Sequence, residues 1–181
     1  MEIIPTPIEG LLIIKPRVYE DSRGFFFEAY NRDRYLDAGI TMDFRQDNFS
    51  KSSYGVVRGL HYQLYPRSQS KLVAAVVGTV WDVAVDLRKG SPTFGQWYGV
   101  ELSAENKIQF LIPQGFAHGF SVLSENAIFS YKCDDYYSPE YERGILYNDP
   151  TLMVDWKLPS EKIQVSAKDK THPVFADADK F

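Results

Sequence analysis

The strongest constraint on the fold is a series of short segments that alternate apolar and polar residues and end at turn signals. The clearest runs from Thr79 to Leu87 and has two faces, one with Trp81, Val83, Val85 and Leu87 and the other with Val80, Asp82, Ala84 and Asp86. Turn residues follow at Lys89–Pro92 and again at Ser103–Asn106. Many short strands joined by polar turns predict an all-β fold, a jelly-roll β-sandwich or barrel.

Other segments also have the composition of strands, and helices are few. The strand candidates are Leu11–Ile14, Gly24–Tyr30, Val57–Gln63, Lys71–Val77, Trp97–Leu102, Ile108–Ile112, Phe120–Leu123 and Ala127–Cys133. Asn31 can cap a short helix over Asn31–Ala38, which Gly39 can close. The polar tail is expected to carry a short helix near Ser160–Ile163 and then an irregular end. Because no repeat or linker interrupts the chain, we expect a single domain over residues 1–181.

Charge and composition argue against several classes of partner. The formal net charge is −4, whereas broad nucleic-acid binding requires a basic face. No segment approaches the roughly 20 apolar residues that a membrane-spanning helix needs. Cys133 is the only cysteine, so no intrachain disulfide can form, and no signal peptide is visible at the start of the chain. We therefore expect a cytoplasmic protein without nucleic-acid or membrane partners.

The segment Val57–Gln63 is a strand that carries an arginine and a histidine among apolar residues. In a regular strand His61 and Gln63 would share a face with Val57, and Arg58 would point the other way. Gly59 is the place where a bulge could turn Arg58 and His61 into one cavity. The residues alone leave two interpretations of His61: a catalytic base in a cavity, or a structural histidine bonded to a backbone carbonyl.

Lys71 begins a strand on the face that also carries the apolar side chains of Val73, Ala75 and Val77. If Lys71 points inward, it needs a counter-charge, and Asp82, Asp86 or an anionic intermediate would supply it. The alternative is a lysine at the end of the strand whose ammonium reaches water.

Two later residues have similar pairs of interpretations. Tyr131 shares a strand face with Ala127, Phe129 and Cys133, so it is either a core tyrosine or an acid that donates a proton to a carbanion. His118 ends the sequence Pro113-Gln114-Gly115-Phe116-Ala117-His118 and is either a turn histidine or part of a site.

The spacing Pro-x-Gly-x-x-His also occurs in metal-binding cupins, which carry further histidines and a glutamate near the first strand pair. In this chain His61 stands alone there, Gln63 occupies the place of the second histidine, and no glutamate follows before Lys71. One or two imidazoles beside a lysine make a poor site for a divalent metal, so no metal is expected. A metal-dependent cupin enzyme remains the alternative.

Several further motifs stand in register along the chain: Gln46–Asn48, Arg58–Gln63, Lys71–Val73, Asp82–Arg88, Leu102–Lys107, Ile112–Phe120, Tyr131–Cys133 and Tyr147–Pro150. From about Glu9 to Asp169, they resemble those of the dTDP-4-dehydrorhamnose 3,5-epimerase family. The resemblance implies a cupin-like jelly roll that acts as a homodimer without metal or cofactor. It implies a dTDP-linked 4-keto-6-deoxy sugar as substrate, inverted at C3 and C5 to give dTDP-4-keto-L-rhamnose in dTDP-L-rhamnose biosynthesis.

The resemblance also implies roles for individual residues. His61 resembles the base, Tyr131 the opposing acid, Lys71 the lysine that stabilises the enolate, and Asp169 the aspartate that orients the histidine. The implied substrate-binding residues are Arg23, Phe26, Glu28, Gln46, Asn48, Arg58, His118, Tyr137, Glu142 and Lys168, with the N-terminal strand shared with the partner subunit. From the residues alone, Glu142 and Lys168 could equally form a surface ion pair.

The chain departs from the common family pattern at Ala74-Ala75, at Thr79–Asp82 and at Phe49, none of which is a catalytic position. These departures concern fine substrate recognition, and relatives that invert a single carbon use nearly the same motifs. A mono-epimerase on a related nucleotide keto sugar is therefore a second alternative, and a sugar-nucleotide binding module without catalysis is a third.

Overall fold

The structure is a computed structural model that describes all residues from Met1 to Phe181. Its strands are β1 (Glu2–Pro5), β2 (Leu12–Lys15), β3 (Val18–Asp21), β4 (Gly24–Phe27), β5 (Gln46–Ser53), β6 (Val57–Gln63), β7 (Lys71–Val77), β8 (Thr79–Asp86), β9 (Trp97–Ser103), β10 (Gln109–Ile112), β11 (Phe116–Val122), β12 (Asn126–Cys133) and β13 (Glu142–Gly144). One α-helix, α1 (Arg32–Asp37), and two 3₁₀ helices, Ser160–Lys162 and Asp169–Thr171, complete the regular structure.

Two antiparallel sheets face each other. The larger has the strand order β1-β2-β10-β7-β12-β5 and the smaller has the order β13-β6-β11-β8-β9, while β3 and β4 form a separate hairpin. From β5 to β13 the chain changes sheet at every step except from β8 to β9. This alternation is the path of a jelly roll, so the predicted all-β fold with a few short helices is confirmed.

The main core lies between the two sheets and contains 15 buried apolar residues. Strand β8 shows how the predicted alternation builds it, because Val80 and Ala84 point into this core while Val83 and Val85 point to the opposite side of the smaller sheet. Asp82 lies on the inward face with Val80 and Ala84, where it is fully buried. The two faces predicted for this segment are therefore confirmed.

The C-terminal segment from Ile145 onward covers the outer face of the smaller sheet. Trp156 and Leu152 pack there against Val83 and Val85, and Ser121 Oγ donates to the carbonyl of Trp156 at 2.6 Å. The short helix expected near Ser160–Ile163 is present as the first 3₁₀ helix. The tail also contains the second 3₁₀ helix, Asp169–Thr171, which was not predicted, and is otherwise irregular. It is docked on the sheet, and this docking carries its polar residues to the site described below.

Helix α1 covers the outer face of the larger sheet. As predicted, Asn31 caps it, with Oδ1 accepting from the backbone N–H of Arg34 at 3.2 Å. Buried Tyr35 anchors the helix by donating to Gln109 Oε1 at 2.6 Å. The longest helix has six residues, and none is long and apolar enough to cross a membrane.

Four strands were not predicted from the sequence: β1, β3, β5 and β13. Three of them are short, and β5 is a polar edge strand with no apolar alternation to mark it. The strand predicted over Gly24–Tyr30 ends at Phe27, and the one predicted to begin at Phe120 begins at Phe116.

Candidate active site

A cavity of about 260 Å³ opens between the edges of the two sheets and collects most of the predicted catalytic side chains. His61 reaches it from β6, Lys71 from β7 and Tyr131 from β12. The full lining is Gln46, Asn48, His61, Tyr62, Gln63, Gln69, Lys71, Tyr131, Cys133, Tyr137 and Glu142. Residues more than 60 positions apart in the chain thus surround one space.

A bulge at Gly59 directs His61 toward this cavity. His118 pairs with His61 and Phe120 pairs with Arg58, so β6 contains one residue more than the facing part of β11. Gly59 has φ +126°, and a Cβ there would lie 2.6 Å from the Gly119 Cα, so only glycine fits. The bulge that the sequence allowed at Gly59 is present.

The bulge also corrects the expected faces of the strand. Val57 does not share a face with His61 and Gln63, because it packs with Leu60 and Tyr62 on the outer side of the smaller sheet. Arg58 consequently lies on the side of His61, and both line a second depression of about 380 Å³. The guanidinium Nε of Arg58 donates to Ser52 Oγ at 3.0 Å. His61 therefore stands between the cavity and this depression.

Asp169 lies directly behind His61, as the family resemblance implied. His61 Nε2 is 2.8 Å from Asp169 Oδ1, and the backbone N–H of Gly59 donates to Oδ2 at 3.3 Å. Burial alone would raise the pKa of Asp169, but the hydrogen bond and charge of His61 outweigh it and bring the pKa to about 2. An ionised Asp169 accepts the Nε2 proton and leaves Nδ1 of His61 as the nitrogen that can take another.

Lys71 is half-buried and lines the cavity, but it has neither of the predicted ion-pair partners. Asp86 is bound by Arg88 at 2.7 Å, and Asp82 is bound by His118 at 2.8 Å. Burial lowers the pKa of Lys71, while the nearby carboxyl groups of Asp82 and Glu142 act in the opposite direction. Because Asp82 and Asp86 are bound elsewhere, the Lys71 side chain is free to interact with a negative charge that develops in the cavity.

Tyr131 occupies the predicted position on the inward face of β12. It lies opposite Asn48 on β5 and Val73 on β7, and it packs against the main core. Burial raises the pKa of Tyr131, and the charge of Arg58 offsets only part of this effect. The phenol therefore holds its proton at neutral pH and can donate it to a stronger base.

His118 lies behind the cavity wall. It is 7% exposed, its ring stacks on Phe129 with centroids 6.0 Å apart, and its Nε2 lies 2.8 Å from Asp82 Oδ2. Burial lowers the pKa of His118 and raises the pKa of Asp82. The structure thus places His118 in a sealed hydrogen-bonded pair, away from the surface that a ligand can reach in this chain.

Among the predicted binding residues, Gln46, Asn48, Tyr137 and Glu142 line the cavity. Glu142 accepts hydrogen bonds from Tyr137 OH at 2.8 Å and from Lys168 Nζ at 2.6 Å, so the ion pair considered from the sequence is present. It stands at the mouth of the cavity rather than on a remote surface.

Three predicted binding residues lie far from this cavity within the chain. Arg23 sits on the β3–β4 hairpin in an ion pair with Asp21 at 2.6 Å, and Phe26 is 70% exposed on the same hairpin. Glu28 follows the hairpin and pairs with Arg34 at 3.0 Å. One copy of the chain does not bring these side chains to His61.

Two residues of the site were not identified from the sequence. His172 Nε2 lies 3.4 Å from Asp169 Oδ1, three positions further along the chain. Gln63, considered only as a missing histidine, holds the loop beside the cavity, with Oε1 accepting from the backbone N–H of Ser138 at 2.7 Å. His61, Asp169 and His172 form the one group in the chain whose side chains could hold a metal ion, with ligand atoms within 4.8 Å. The spacing Asp-x-x-His, from Asp169 to His172, was the feature of the sequence that could have indicated His172.

Around this cavity a histidine backed by a carboxylate, a lysine and a protonated tyrosine face one space. This combination suits removal and return of a proton next to a carbonyl group, since it offers a base, an acid and a cation for the enolate oxygen. Residues 5–177 match the family model described as dTDP-4-dehydrorhamnose 3,5-epimerase. The chain belongs to this family.

Individual epimerases resemble the chain over nearly its whole length. The dTDP-4-dehydrorhamnose 3,5-epimerase of Pseudomonas aeruginosa is 55% identical over 175 residues, covering 96% of each chain. The crystal structure of a Legionella pneumophila dTDP-6-deoxy-D-glucose-3,5-epimerase in complex with dTDP-4-keto-L-rhamnose is 55% identical, with TM-score 0.94, covering 98% of this chain and 94% of that one. A 3'-monoepimerase from Streptomyces bikiniensis in complex with dTDP-quinovose is 32% identical, with TM-score 0.87, covering 95% and 87%.

Proposed function

We propose that this epimerase-family chain inverts C3 and C5 of dTDP-4-keto-6-deoxy-D-glucose to give dTDP-4-keto-L-rhamnose, a step of dTDP-L-rhamnose biosynthesis. The observation that carries the proposal is the convergence of the His61–Asp169 pair, Lys71 and Tyr131 on one cavity. The product named here is the ligand of the Legionella relative. No cofactor enters the proposed reaction.

In the proposed mechanism, His61 removes the proton from a carbon next to the C4 ketone. Nδ1 accepts this proton, while Nε2–H stays hydrogen-bonded to Asp169, whose negative charge stabilises the imidazolium. The electron pair of the broken C–H bond moves onto the ketone oxygen as an enolate. Lys71 stabilises this oxygen, because its ammonium has no competing ion pair in the cavity.

Inversion requires that the proton return from the opposite face of the sugar ring. We assign this step to Tyr131, whose raised pKa keeps the phenol protonated until a carbanion accepts the proton. The resulting phenolate regains a proton from solvent, and the His61 imidazolium releases to solvent the proton that it took from carbon. Because C3 and C5 flank the same ketone, one lysine serves both inversions after the ring is reoriented.

We propose that the nucleotide is bound by residues of two copies of the chain. Gln46, Asn48, Arg58, Tyr137, Glu142 and Lys168 would contribute from one protomer, and Arg23, Phe26 and Glu28 from its partner. The exposed hairpin supports this view, as does a groove of about 680 Å³ on the outer face of the larger sheet. The apolar side chains of Phe25 and Val76 line this groove and are exposed in one copy of the chain, as is typical of a surface that a second copy covers. Residues 1–181 then act as one domain within a homodimer.

Complementation tests the shared site. His61→Ala and Arg23→Ala should each be nearly inactive as pure proteins. If Arg23 acts in the partner's cavity, mixed dimers carry one intact site, and random mixing should restore about one quarter of wild-type activity. Mixing that restores no activity, although different affinity tags on the two variants show that mixed dimers form, would mean that Arg23 acts in the cavity of its own protomer.

The proposed reaction is tested by incubating the protein with the keto sugar nucleotide in heavy water and following C3–H and C5–H by NMR. We expect both signals to disappear as product forms. In Tyr131→Phe, exchange should outlast inversion, because the base is intact and the opposing acid is lost. Failure of any exchange in wild-type protein would favour a binding module without catalysis.

A mono-epimerase is the second candidate, because the Streptomyces bikiniensis 3'-monoepimerase has a closely similar fold. It predicts loss of one C–H signal only. A metal-dependent cupin predicts that activity falls when metal is removed and that His61 and His118 are ligands, although His118 Nε2 is bonded to Asp82. The cytoplasmic location expected from the single cysteine stays a prediction.

A further inference from the structure

Three side chains that bind metals well meet behind the cavity. His61 Nε2 lies 2.8 Å from Asp169 Oδ1, and His172 Nε2 lies 3.4 Å from the same oxygen. We propose that His61, Asp169 and His172 form a binding site for Zn²⁺, and that zinc bound there inhibits proton abstraction. The inhibition rests on the proposed role of His61 as the base, whereas the binding of zinc does not.

Two of the three distances between ligand atoms are close to those of a zinc site, and all three atoms lie within 4.8 Å of one another. A tetrahedral zinc with bonds of about 2.0–2.2 Å holds its ligand atoms about 3.4 Å apart. The distance between His172 and Asp169 already has this value, and the 2.8 Å hydrogen bond between His61 and Asp169 needs to open by about half an ångström. Two imidazoles and one carboxylate are a ligand set that zinc uses at sites with an open fourth position.

His172 supplies an independent sign that a ligand is missing from this group. Its Nε2 atom is buried and has no hydrogen-bond partner, because the approach to Asp169 lacks the geometry of a hydrogen bond. The ring is held in place, edge-on to His61 with centroids 5.6 Å apart. It also fills the space beside Gly144, where a Cβ would lie 2.4 Å from the ring. A bound cation would give this fixed, unsatisfied nitrogen a partner.

Zinc can reach the group from the depression on the far side of His61. Asp169 and His61 both line it, together with Ser166 and Lys168. The nearby positive charges weaken cation binding, although Glu142 neutralises Lys168 at 2.6 Å. We therefore expect reversible binding of added zinc rather than a permanently held metal.

The chemical consequence follows from the two nitrogens of His61. In the metal-free protein, Nε2 carries the proton that is donated to Asp169, and Nδ1 has the lone pair that accepts a proton from substrate. Zinc takes the lone pair of Nε2, so the proton of the neutral ring moves to Nδ1. A protonated Nδ1 has no lone pair, and the base is lost while the cavity itself is unchanged.

The test uses metal-free protein titrated with zinc chloride, with activity and direct binding measured in parallel. We expect one zinc bound per chain by equilibrium dialysis, loss of C–H exchange as zinc binds, and recovery on adding a chelator. Cobalt(II) in place of zinc should give the visible absorption of a four-coordinate site. His172→Asn should raise the half-inhibiting zinc concentration at least about 10-fold above that of the wild type, with inhibition of each protein measured against its own metal-free rate.

The matched control is His118→Asn, which removes the other histidine outside the proposed base and should keep the zinc sensitivity of the wild type. If His172→Asn does not fold by circular dichroism, Gly144→Ala replaces it, because the added Cβ displaces the His172 ring. Equal zinc sensitivity in wild type and His172 variant would overturn the proposal, as would the absence of zinc binding.

Two further outcomes separate this proposal from the proposed function. Zinc that binds through His172 but leaves exchange intact would overturn the inhibition and the assignment of His61 as base, and would leave the binding site standing. Zinc that increases the rate of metal-free protein would overturn both the inhibition and the metal-free mechanism.

Discussion

Two histidine–aspartate pairs lie on neighbouring strands of the smaller sheet, with His61 on β6 directly opposite His118 on β11. In both, Nε2 lies 2.8 Å from a carboxylate oxygen. Their surroundings differ. The His61 side chain is 32% exposed and faces the cavity, whereas the His118 side chain is 9% exposed and enclosed between the sheets. The C-terminal tail supplies Asp169, and the neighbouring strand β8 supplies Asp82.

The two carboxylates respond to these surroundings in opposite directions. The pKa of Asp169 falls to about 2, because the interactions with His61 outweigh burial. The pKa of Asp82 rises, because burial outweighs the attraction of His118 and Lys71. Asp169 also accepts the backbone N–H of Gly59 and lies beside His172, whereas Asp82 is fully enclosed and hydrogen-bonded to His118 alone. A histidine–aspartate pair is suited to proton transfer with a ligand only where one ring nitrogen is open to it.

The largest effect should come from removing the accessible histidine. His61→Ala should lower turnover by about 10³-fold and abolish deuterium exchange at both carbons, because the base is gone. The measurement is NMR in heavy water with the keto sugar nucleotide. Exchange near the wild-type rate would show that the accessible pair is not the base.

The next largest effect should come from replacing Lys71, whose side chain forms no ion pair with the aspartate of either pair. Lys71→Met should lower turnover by about 10²-fold, because the enolate oxygen loses its charged partner while the base is retained. Lys132→Met is the matched control, since Lys132 is on the adjacent strand and paired with Asp47 at 2.8 Å. Steady-state kinetics on both variants distinguishes a role in the cavity from a general loss of positive charge.

The sealed pair should matter for stability more than for turnover. His118→Asn should reduce the free energy of unfolding by about 1–3 kcal/mol, because Asp82 is left buried with a weaker partner. Turnover should change by less than about tenfold. Chemical denaturation and kinetics measure the two quantities, and a loss of exchange as large as that of His61→Ala would remove the distinction between the pairs.

The smallest effect concerns a third buried carboxylate, Asp86, on the same face of β8 as Asp82. Burial would raise its pKa, but hydrogen bonds from Arg88, Ser91 and Thr93 outweigh it and bring the pKa to about 2. A depressed carboxyl pKa stabilises the folded state at pH values above about 4, and this contribution is lost as the pH falls toward 2. It amounts to about 2 kcal/mol.

Denaturation of wild type and Asp86→Asn between pH 6 and pH 2.5 measures this contribution. The two curves should differ at pH 6 and converge at low pH. Asp177→Asn, which changes an exposed carboxylate, serves as the control and should follow the wild type throughout. Curves that stay parallel down to pH 2.5 would show that the hydrogen bonds to Asp86 do not depend on its charge.

Much of the fold followed from residue pattern. The alternation in Thr79–Leu87 predicted both faces of β8, and Asn31 marked the start of α1. Strand β5 escaped prediction, because its exposed face carries Asp47, Phe49 and Lys51 and its inward face carries polar residues that line the cavity. Pattern detects a strand through its buried apolar side, and β5 has little of one.

Some parts of the site were predicted from the residues, some only from the family resemblance, and one residue was missed. Gly59 marked the place in β6 where a bulge could form, and the bulge that is present determines which side chains accompany His61. The pairing of Asp169 with His61 came only from family resemblance. His172 was missed altogether: its spacing from Asp169 was visible in the sequence, but nothing there shows that the tail lies beside a residue 111 positions earlier.

The sequence by itself predicted most of the elements: strands with two faces, a glycine in β6 where a bulge could form, and the residue types that proton transfer needs. Only the tertiary structure decided which of these meet, because docking of the tail on the smaller sheet is set by long-range packing of residues such as Trp156. That docking closes the contact between Asp169 and His61 and brings His172 beside them. Secondary structure can be predicted from residues that are neighbours in the chain, whereas a catalytic pair such as His61 and Asp169 depends on how the tail packs on the sheet.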